Sequence, residues 1–234
     1  MEYDKVIALM PARFAARRFP GKLIADIGDR SVLKRTHDQV VMCDDIDELY
    51  VVTADDIIKD HCKTYDIPFL FFKGAYRCGT DRCVDAYRMK GLMGAILINV
   101  QAEQPFIDPD IISALIKAMK ADASIRVGSL MTISHCTSQD PNVVKVSVDD
   151  QGDAKTFTRA LISGETYHQH IGVYGFRTEI LTELSELSPS SAELKLSLEQ
   201  LRWMDNGMSI RMIPVDHQPV SIDTPSQLLK IKST

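Results

Sequence analysis

The sequence has no run of about 18 apolar residues, the length a membrane-spanning helix requires. Its first residues also lack the basic-then-apolar order of a secretory leader, so a cytoplasmic protein with no membrane insertion is expected. Its five cysteines (Cys43, Cys62, Cys78, Cys83 and Cys136) are odd in number and form no C-x-x-C pair. A disulfide framework or a thiolate zinc site is therefore not expected, and free thiols in a reducing compartment are. Basic charge is not in excess either: 27 Lys and Arg stand against 32 Asp and Glu, a net charge of −5. That balance argues against a general nucleic-acid binder, which normally carries an excess of Lys and Arg. Repeats, low-complexity tracts and linkers are absent. What is present is an ordinary globular composition, 45% apolar over 234 residues, enough for one large domain with a substantial core.

The first half alternates compact apolar runs with helical periodicity. Residues 4–10 (DKVIALM), 47–53 (DELYVVT), 67–72 (IPFLFF) and 94–100 (GAILINV) suit parallel strands buried on both faces. Between them, Ser31–Cys43, Asp55–Tyr65 and Gly79–Lys90 repeat apolar positions every three or four residues. This predicts right-handed crossovers and an open α/β sheet, mostly parallel, with helices on both faces. A helix follows Asp108-Pro109. Then 125–133, 142–150, 153–160 and 168–177 read as extended runs, with Gln151-Gly152 at a hairpin tip. Helices near 178–186 and 191–206 and a strand at 208–215 return the chain to the main sheet. The expected organisation is one domain over 1–234 with an antiparallel β inset at about 125–177.

In such a sheet ligands bind beyond the carboxyl ends of the strands. Residues 11–22, PARFAARRFPGK, follow the first strand directly and crowd Arg13, Arg17, Arg18 and Lys22 into one loop. Pro11, Ala12 and Gly21 let backbone approach an anion, and the guanidinium groups suit bidentate phosphate contacts. The alternative is a solvated basic loop. Asp55, closing the second strand, either contacts a base or ribose or caps the next helix. Gly79 and Thr80 in RCGTDR offer amide and hydroxyl donors, or Thr80 is a helix cap. Gln101, Glu103 and Gln104 follow the fourth strand, where a carboxylate can hold a hard divalent ion against phosphates. Asp223, before Pro225, is a second carboxylate or a cap.

Taken in order, these motifs resemble the 3-deoxy-manno-octulosonate (KDO) cytidylyltransferase, or CMP-KDO synthetase, family nearly end to end. PARFAARRFPGK resembles its CTP loop, CGTDR its S-G-T-D/E-R, and NVQAEQPFID its N-V/L-Q-G-D-E/Q-P-x-I. DPNVVKV, HIGVYGFR, LEQLR and IDTPSQL match four further motifs. The resemblance implies a Rossmann-like nucleotide-diphospho-sugar transferase fold. It also implies CMP transfer from CTP to the anomeric hydroxyl of an ulosonic acid, with Mg²⁺ as cofactor and a homodimer as the assembly. On its terms Arg13, Arg18 and Lys22 are catalytic and hold the triphosphate. Pro11, Ala12, Arg13, Asp55, Cys78, Gly79, Thr80, Arg82, Gln101 and Ala102 bind the nucleotide. Glu103 and Asp223 ligate the metal, and Gln104, His170, Tyr174, Glu199 and Gln200 face the sugar. Read from the residues alone, His170 on a strand is more often a half-buried core or interface histidine, and Glu199 and Gln200 border a Leu194, Leu198, Leu201 helix stripe.

Three departures bear on this. Ala102-Glu103 replaces Gly-Asp, adding a Cβ where glycine permits positive φ and lengthening a carboxylate by one methylene. Cys78 replaces a serine. The segment LISGETYHQ after FTRA is short. The alternatives to the family reaction are a different acidic sugar or phosphonate acceptor, or a nucleotide-binding homologue with weak catalysis.

Overall fold

The computed structural model describes residues 4–16, 18–74, 76–217 and 220–232; Arg17 of the basic loop lies outside them. The chain opens with β1 (Val6–Pro11), and a short hairpin follows, β2 (Asp26–Ile27) and β3 (Arg30–Ser31). Next come α1 (Val32–Val41), β4 (Glu48–Thr53), α2 (Asp56–Thr64), β5 (Phe69–Phe71), α3 (Gly79–Lys90), β6 (Ile96–Val100) and α4 (Pro109–Ala121). The second half holds β7 (Val127–His135), β8 (Lys145–Val148), β9 (Ala154–Thr158) and β10 (His168–Arg177). After them come α5 (Leu181–Glu186), α6 (Ser191–Leu196), α7 (Gln200–Asp205), β11 (Arg211–Val215) and α8 (Pro225–Lys232). The fold is mixed α/β, with parallel strands at its centre and antiparallel strands added, as expected.

Contacts divide the chain into two compact units, 1–113 with 219–234, and 114–218. In the first, β6, β1, β4 and β5 lie side by side, all parallel. Val6 to Met10 and Ile96 to Ile98 are essentially inaccessible, which is why these strands read as continuous apolar runs rather than alternating ones. Helix α1 begins where the Ser31 hydroxyl accepts from Lys34 N–H, and α3 where the Cys78 thiol accepts from Asp81 N–H.

In the second unit β7 and β10 run antiparallel, β8 pairs with β10, and β8 and β9 form a hairpin. Gly152 turns that hairpin at φ +82°. Strand β11 joins β7 in parallel register, Arg211 opposite Gly128, so it lies beside the second group of strands. The single helix expected over 191–206 is two. Ser197 adopts φ 52° and donates its N–H to Glu193 O at 2.7 Å, closing α6 before α7 starts. The leucine stripe breaks with it: Leu194 is 68% exposed while Leu198 and Leu201 are buried.

Candidate active site

The charged loop is held as a built object. Ala12 N–H donates to Val52 O at 2.9 Å, and Ala12 O accepts from Arg82 Nη1 at 2.5 Å. Phe14 N–H donates to Asp55 Oδ2 at 2.7 Å, and Phe14 O accepts from both Ala16 and Gly21 N–H. Gly21 sits at φ +74°, the left-handed region that favours glycine, and a Cβ there would lie a tight 3.2 Å from the Phe14 ring. A turn of 3₁₀ helix, Lys22–Ile24, then buries Lys22 and Leu23.

This loop forms one wall of a cleft lined by Pro11, Ala12, Arg13, Ala16, Lys22 and Leu23. Tyr76, Cys78, Gly79, Arg82, Gln101 and Glu103 complete its lining. Gly79 opens the 12-residue helix α3, and a Cβ on it would come within 2.9 Å of the Pro11 ring. Its small size lets the positive end of the helix reach the loop. Burial lowers the pKa of Arg82; Asp55 works against that, while Arg13 adds to it. Two guanidinium groups and a helix N-terminus give this part of the cleft a positive potential.

Two lining residues, Lys22 and Glu103, belong to a charge cluster. Lys22 Nζ is 2.8 Å from Glu103 Oε1 and 3.1 Å from Asp223 Oδ1, and Arg18 Nη2 is 3.0 Å from the same Asp223 oxygen. Burial pulls the Lys22 ammonium down, but Glu103 and Asp223 outweigh it and hold its pKa above the usual lysine value. Burial likewise pushes Asp223 up, and Lys22 and Arg18 reverse it, leaving the carboxyl below the ordinary aspartate value.

The local signals resolve in unexpected ways. Asp55 occupies the cap position of α2, yet its side chain makes no capping bond there and holds the loop instead. Thr80 does not cap α3; Cys78 does, and the buried Thr80 hydroxyl accepts from Asn99 Nδ2 at 2.9 Å. Asp223 does not cap α8 either. Thr224 and Gln227 form a capping box, with Gln227 Oε1 accepting from Asp223 and Thr224 N–H, so the Asp223 carboxylate is left for Lys22 and Arg18. Ala102 is fully buried, its carbonyl accepting from Thr36 Oγ1. Among the described residues only Asp66 and Ser197 carry a side chain at positive φ, so the Ala102 methyl brings no backbone strain. Gln104 is buried beside this turn. Tyr76 was not singled out from sequence; an aromatic in a loop offers little signal, but it lies against Arg82, 5.4 Å from ring centre to guanidinium.

In the other unit His170 is buried. The Ser129 hydroxyl donates to Val173 O, so its oxygen accepts from His170 Nε2–H at 2.9 Å. Burial drives the imidazole pKa down to about 3, which keeps the ring neutral. Tyr174 donates its hydroxyl to Gln200 Oε1 at 3.1 Å and packs edge-on to Trp203. Gln200 Nε2 is buried with no partner among the described residues. Glu199 is half-buried at the start of α7.

A parallel α/β sheet whose strand-end loops build a cationic, helix-capped cleft beside two carboxylates defines a nucleotidyltransferase. Residues 7–210 match the cytidylyltransferase family model. Over nearly their whole lengths, the chain is 33% identical to 3-deoxy-manno-octulosonate cytidylyltransferase of Parabacteroides distasonis, covering 97% of this chain and 96% of that one. It is 36% identical to the enzyme of the same name from Nitratidesulfovibrio vulgaris strain DP4, covering 94% and 92%. The solved structure of CMP:2-keto-3-deoxy-manno-octonic acid synthetase complexed with CTP superposes with TM-score 0.89 at 29% identity, covering 98% of each chain. The chain belongs to the 3-deoxy-manno-octulosonate cytidylyltransferase family.

Proposed function

We propose that this protein transfers CMP from CTP to the anomeric hydroxyl of KDO or a closely related ulosonic acid, releasing pyrophosphate. The observation that carries this reading is the cleft between residues 11–23 and the start of α3, where Arg13, Arg82 and Lys22 face one anion-sized space. In the reaction the sugar oxygen forms a bond to the α-phosphorus as the α–β P–O bond breaks. Pyrophosphate leaves with that electron pair, and the hydroxyl proton is lost to water. Such a transfer is catalysed mainly by positioning and charge neutralisation. Arg13, Arg18 and Lys22 bind the triphosphate, and the amides at Gly79 and Thr80 supplement them from the helix N-terminus. Asp55, Cys78, Arg82, Gln101 and Ala102 shape the nucleotide side, through backbone support where the side chain is already engaged.

Glu103 and Asp223 suit a hard divalent ion: two carboxylate oxygens converge on a single cation position. Among the described residues no cluster of three metal-binding side chains exists. Mg²⁺ fits that count, since it takes one or two carboxylates and completes its shell with phosphate oxygens and water. Bound there, it would neutralise charge on the triphosphate and polarise the attacking hydroxyl. Gln104, His170, Tyr174, Glu199 and Gln200 are the acceptor contacts in this reading. The unpartnered Gln200 Nε2 supports a neutral amide donor for the sugar, and His170 acts as a neutral imidazole.

No helix among the described residues is long and apolar enough to cross a membrane. A cytoplasmic homodimer supplying activated sugar for lipopolysaccharide or another surface glycan completes the proposal. The test is pyrophosphate release with CTP, Mg²⁺ and a panel of 3-deoxy-ulosonic, amino-ulosonic and phosphonate acceptors. Release with KDO is expected. Release only with another acid would reassign the acceptor, and none at all, despite CTP binding, would overturn the reading.

A further inference from the structure

We infer that Lys22 is a resident counter-ion of the metal position. In the nucleotide-free protein its ammonium occupies the point where Glu103 and Asp223 converge, and a divalent cation enters only after a triphosphate has drawn Lys22 away. This rests on the assignment of those two carboxylates as metal ligands.

The geometry sets the ammonium and a divalent ion in competition. Lys22 Nζ already lies 2.8 and 3.1 Å from one oxygen of each carboxylate. A divalent ion that took the same two oxygens would have to compete with the ammonium for them. The charges argue the same way. Lys22 and Arg18 together cancel Glu103 and Asp223, so the cluster offers an arriving dication no net negative charge. The side chain has somewhere else to go. Lys22 lines the same cleft as Arg13, Gly79 and Arg82, so a phosphate bound there lies on the wall the lysine already shares. Its backbone need not move: Lys22 N–H is tied to Phe19 O and its carbonyl to Ala25 N–H, while a flexible four-carbon stem carries the charge. Arg18, half exposed, loses its Asp223 partner in the same event.

Metal and CTP therefore bind with positive coupling, and each must raise the affinity for the other by the same factor. The free protein discriminates against bare divalent ions, and the metal site is completed only around a nucleotide.

The experiment measures Mn²⁺ binding by the loss of its free-ion EPR signal, without nucleotide, in wild type, Lys22→Met and Lys22→Gln. Circular dichroism melts verify that each variant is folded, and the two side chains differ enough in polarity that one tolerates the site if the other does not. The expected result is weak binding by wild type and binding about tenfold tighter or more in the Lys22 variants. Adding Glu103→Ala or Asp223→Ala to either variant should remove that gain. Equal Mn²⁺ affinity in wild type and both variants would overturn the inference. If carboxylate removal then still weakened Mn²⁺ binding measured with CTP present, the metal-ligand assignment would stand without it. If removing both carboxylates changed Mn²⁺ binding under neither condition, the assignment itself would fall.

Discussion

Asp55 Oδ2 accepts a 2.7 Å hydrogen bond from the backbone N–H of Phe14, joining the end of β4 to the middle of the basic loop. Two residues earlier the Ala12 peptide is gripped on both sides, by Val52 and by Arg82. Asp55 is thus a positioning residue for the basic loop. Asp55→Ala should raise KM for CTP about tenfold, the scale of a lost charge-assisted hydrogen bond. Asp55→Asn retains a carbonyl acceptor and should stay within about threefold of wild type. Steady-state kinetics in CTP checks both, and equal damage from Asn and Ala would contradict the positioning role.

Arg13 has no ion pair among the described residues, and it lines the same cleft as Arg82. Its charge is available to an anion rather than to the fold. Arg13→Ala should lower kcat/KM for CTP about a hundredfold while leaving the melting temperature nearly unchanged. Unchanged kinetics would remove Arg13 from the site.

Glu103 reaches Lys22 at 2.8 Å from a turn in which Ala102 is buried without strain. The longer carboxylate therefore fits this turn as it stands. Glu103→Asp should withdraw the carboxylate by about one methylene and cut kcat about tenfold at saturating Mg²⁺. A gain in kcat would instead mark Glu103 as an ill-fitting ligand.

Cys78 caps α3 through sulfur, at 3.5 Å from Asp81 N–H. A hydroxyl is the better acceptor at a helix N-terminus. Cys78→Ser should stabilise the protein by about 0.5 kcal/mol, visible as a rise of about 1–2 °C in Tm by calorimetry. A fall in Tm would show that the thiol contributes more through packing than through the cap.

His170 is neutral in the folded protein, with its pKa lowered from 6.5 to about 3 by burial. The unfolded chain takes up a proton below pH 6.5 that the folded chain refuses until near 3, so this group makes stability fall as pH falls through that window. The slope is at most about 1.4 kcal/mol per pH unit. His37 and His61, also lowered by burial, act with the same sign. In a histidine NMR titration the His170 ring signals should stay flat between about pH 5 and 8. A midpoint near the ordinary value would mean that water reaches the ring. Urea melts of wild type and His170→Gln at descending pH would isolate its share of the slope.

The elements that sequence located best are those where local chemistry leaves little choice. Helix α3 runs over Gly79–Lys90 and β10 over His168–Arg177, as their periodicity and turn residues predict. The parallel strands were legible because burial on both faces demands an unbroken apolar run. Helix 191–206 was misread because a serine in left-handed backbone gives no warning in composition, and only the 2.7 Å bond from its N–H to Glu193 O shows the break. At Thr80, Asp55 and Asp223 the sequence leaves capping open as one of two readings, and in each case the side chain does not cap, for a shared reason. Each motif holds more than one residue able to cap, and the choice falls to whichever side chain has no better long-range partner.

By itself the sequence determined the alternation of strands and helices, the placement of a basic loop at a strand end, and the motif order that marks the family. These follow from periodicity, turn chemistry and residue type over a few neighbours. Only the tertiary structure decided that Lys22 meets Glu103, 81 residues away, and Asp223, 201 residues away, and that Asp55 turns toward Phe14 rather than its own helix. The reason is physical. A side chain's partner is set by which loops the sheet brings to one edge, and no local pattern of charge or hydropathy records that meeting.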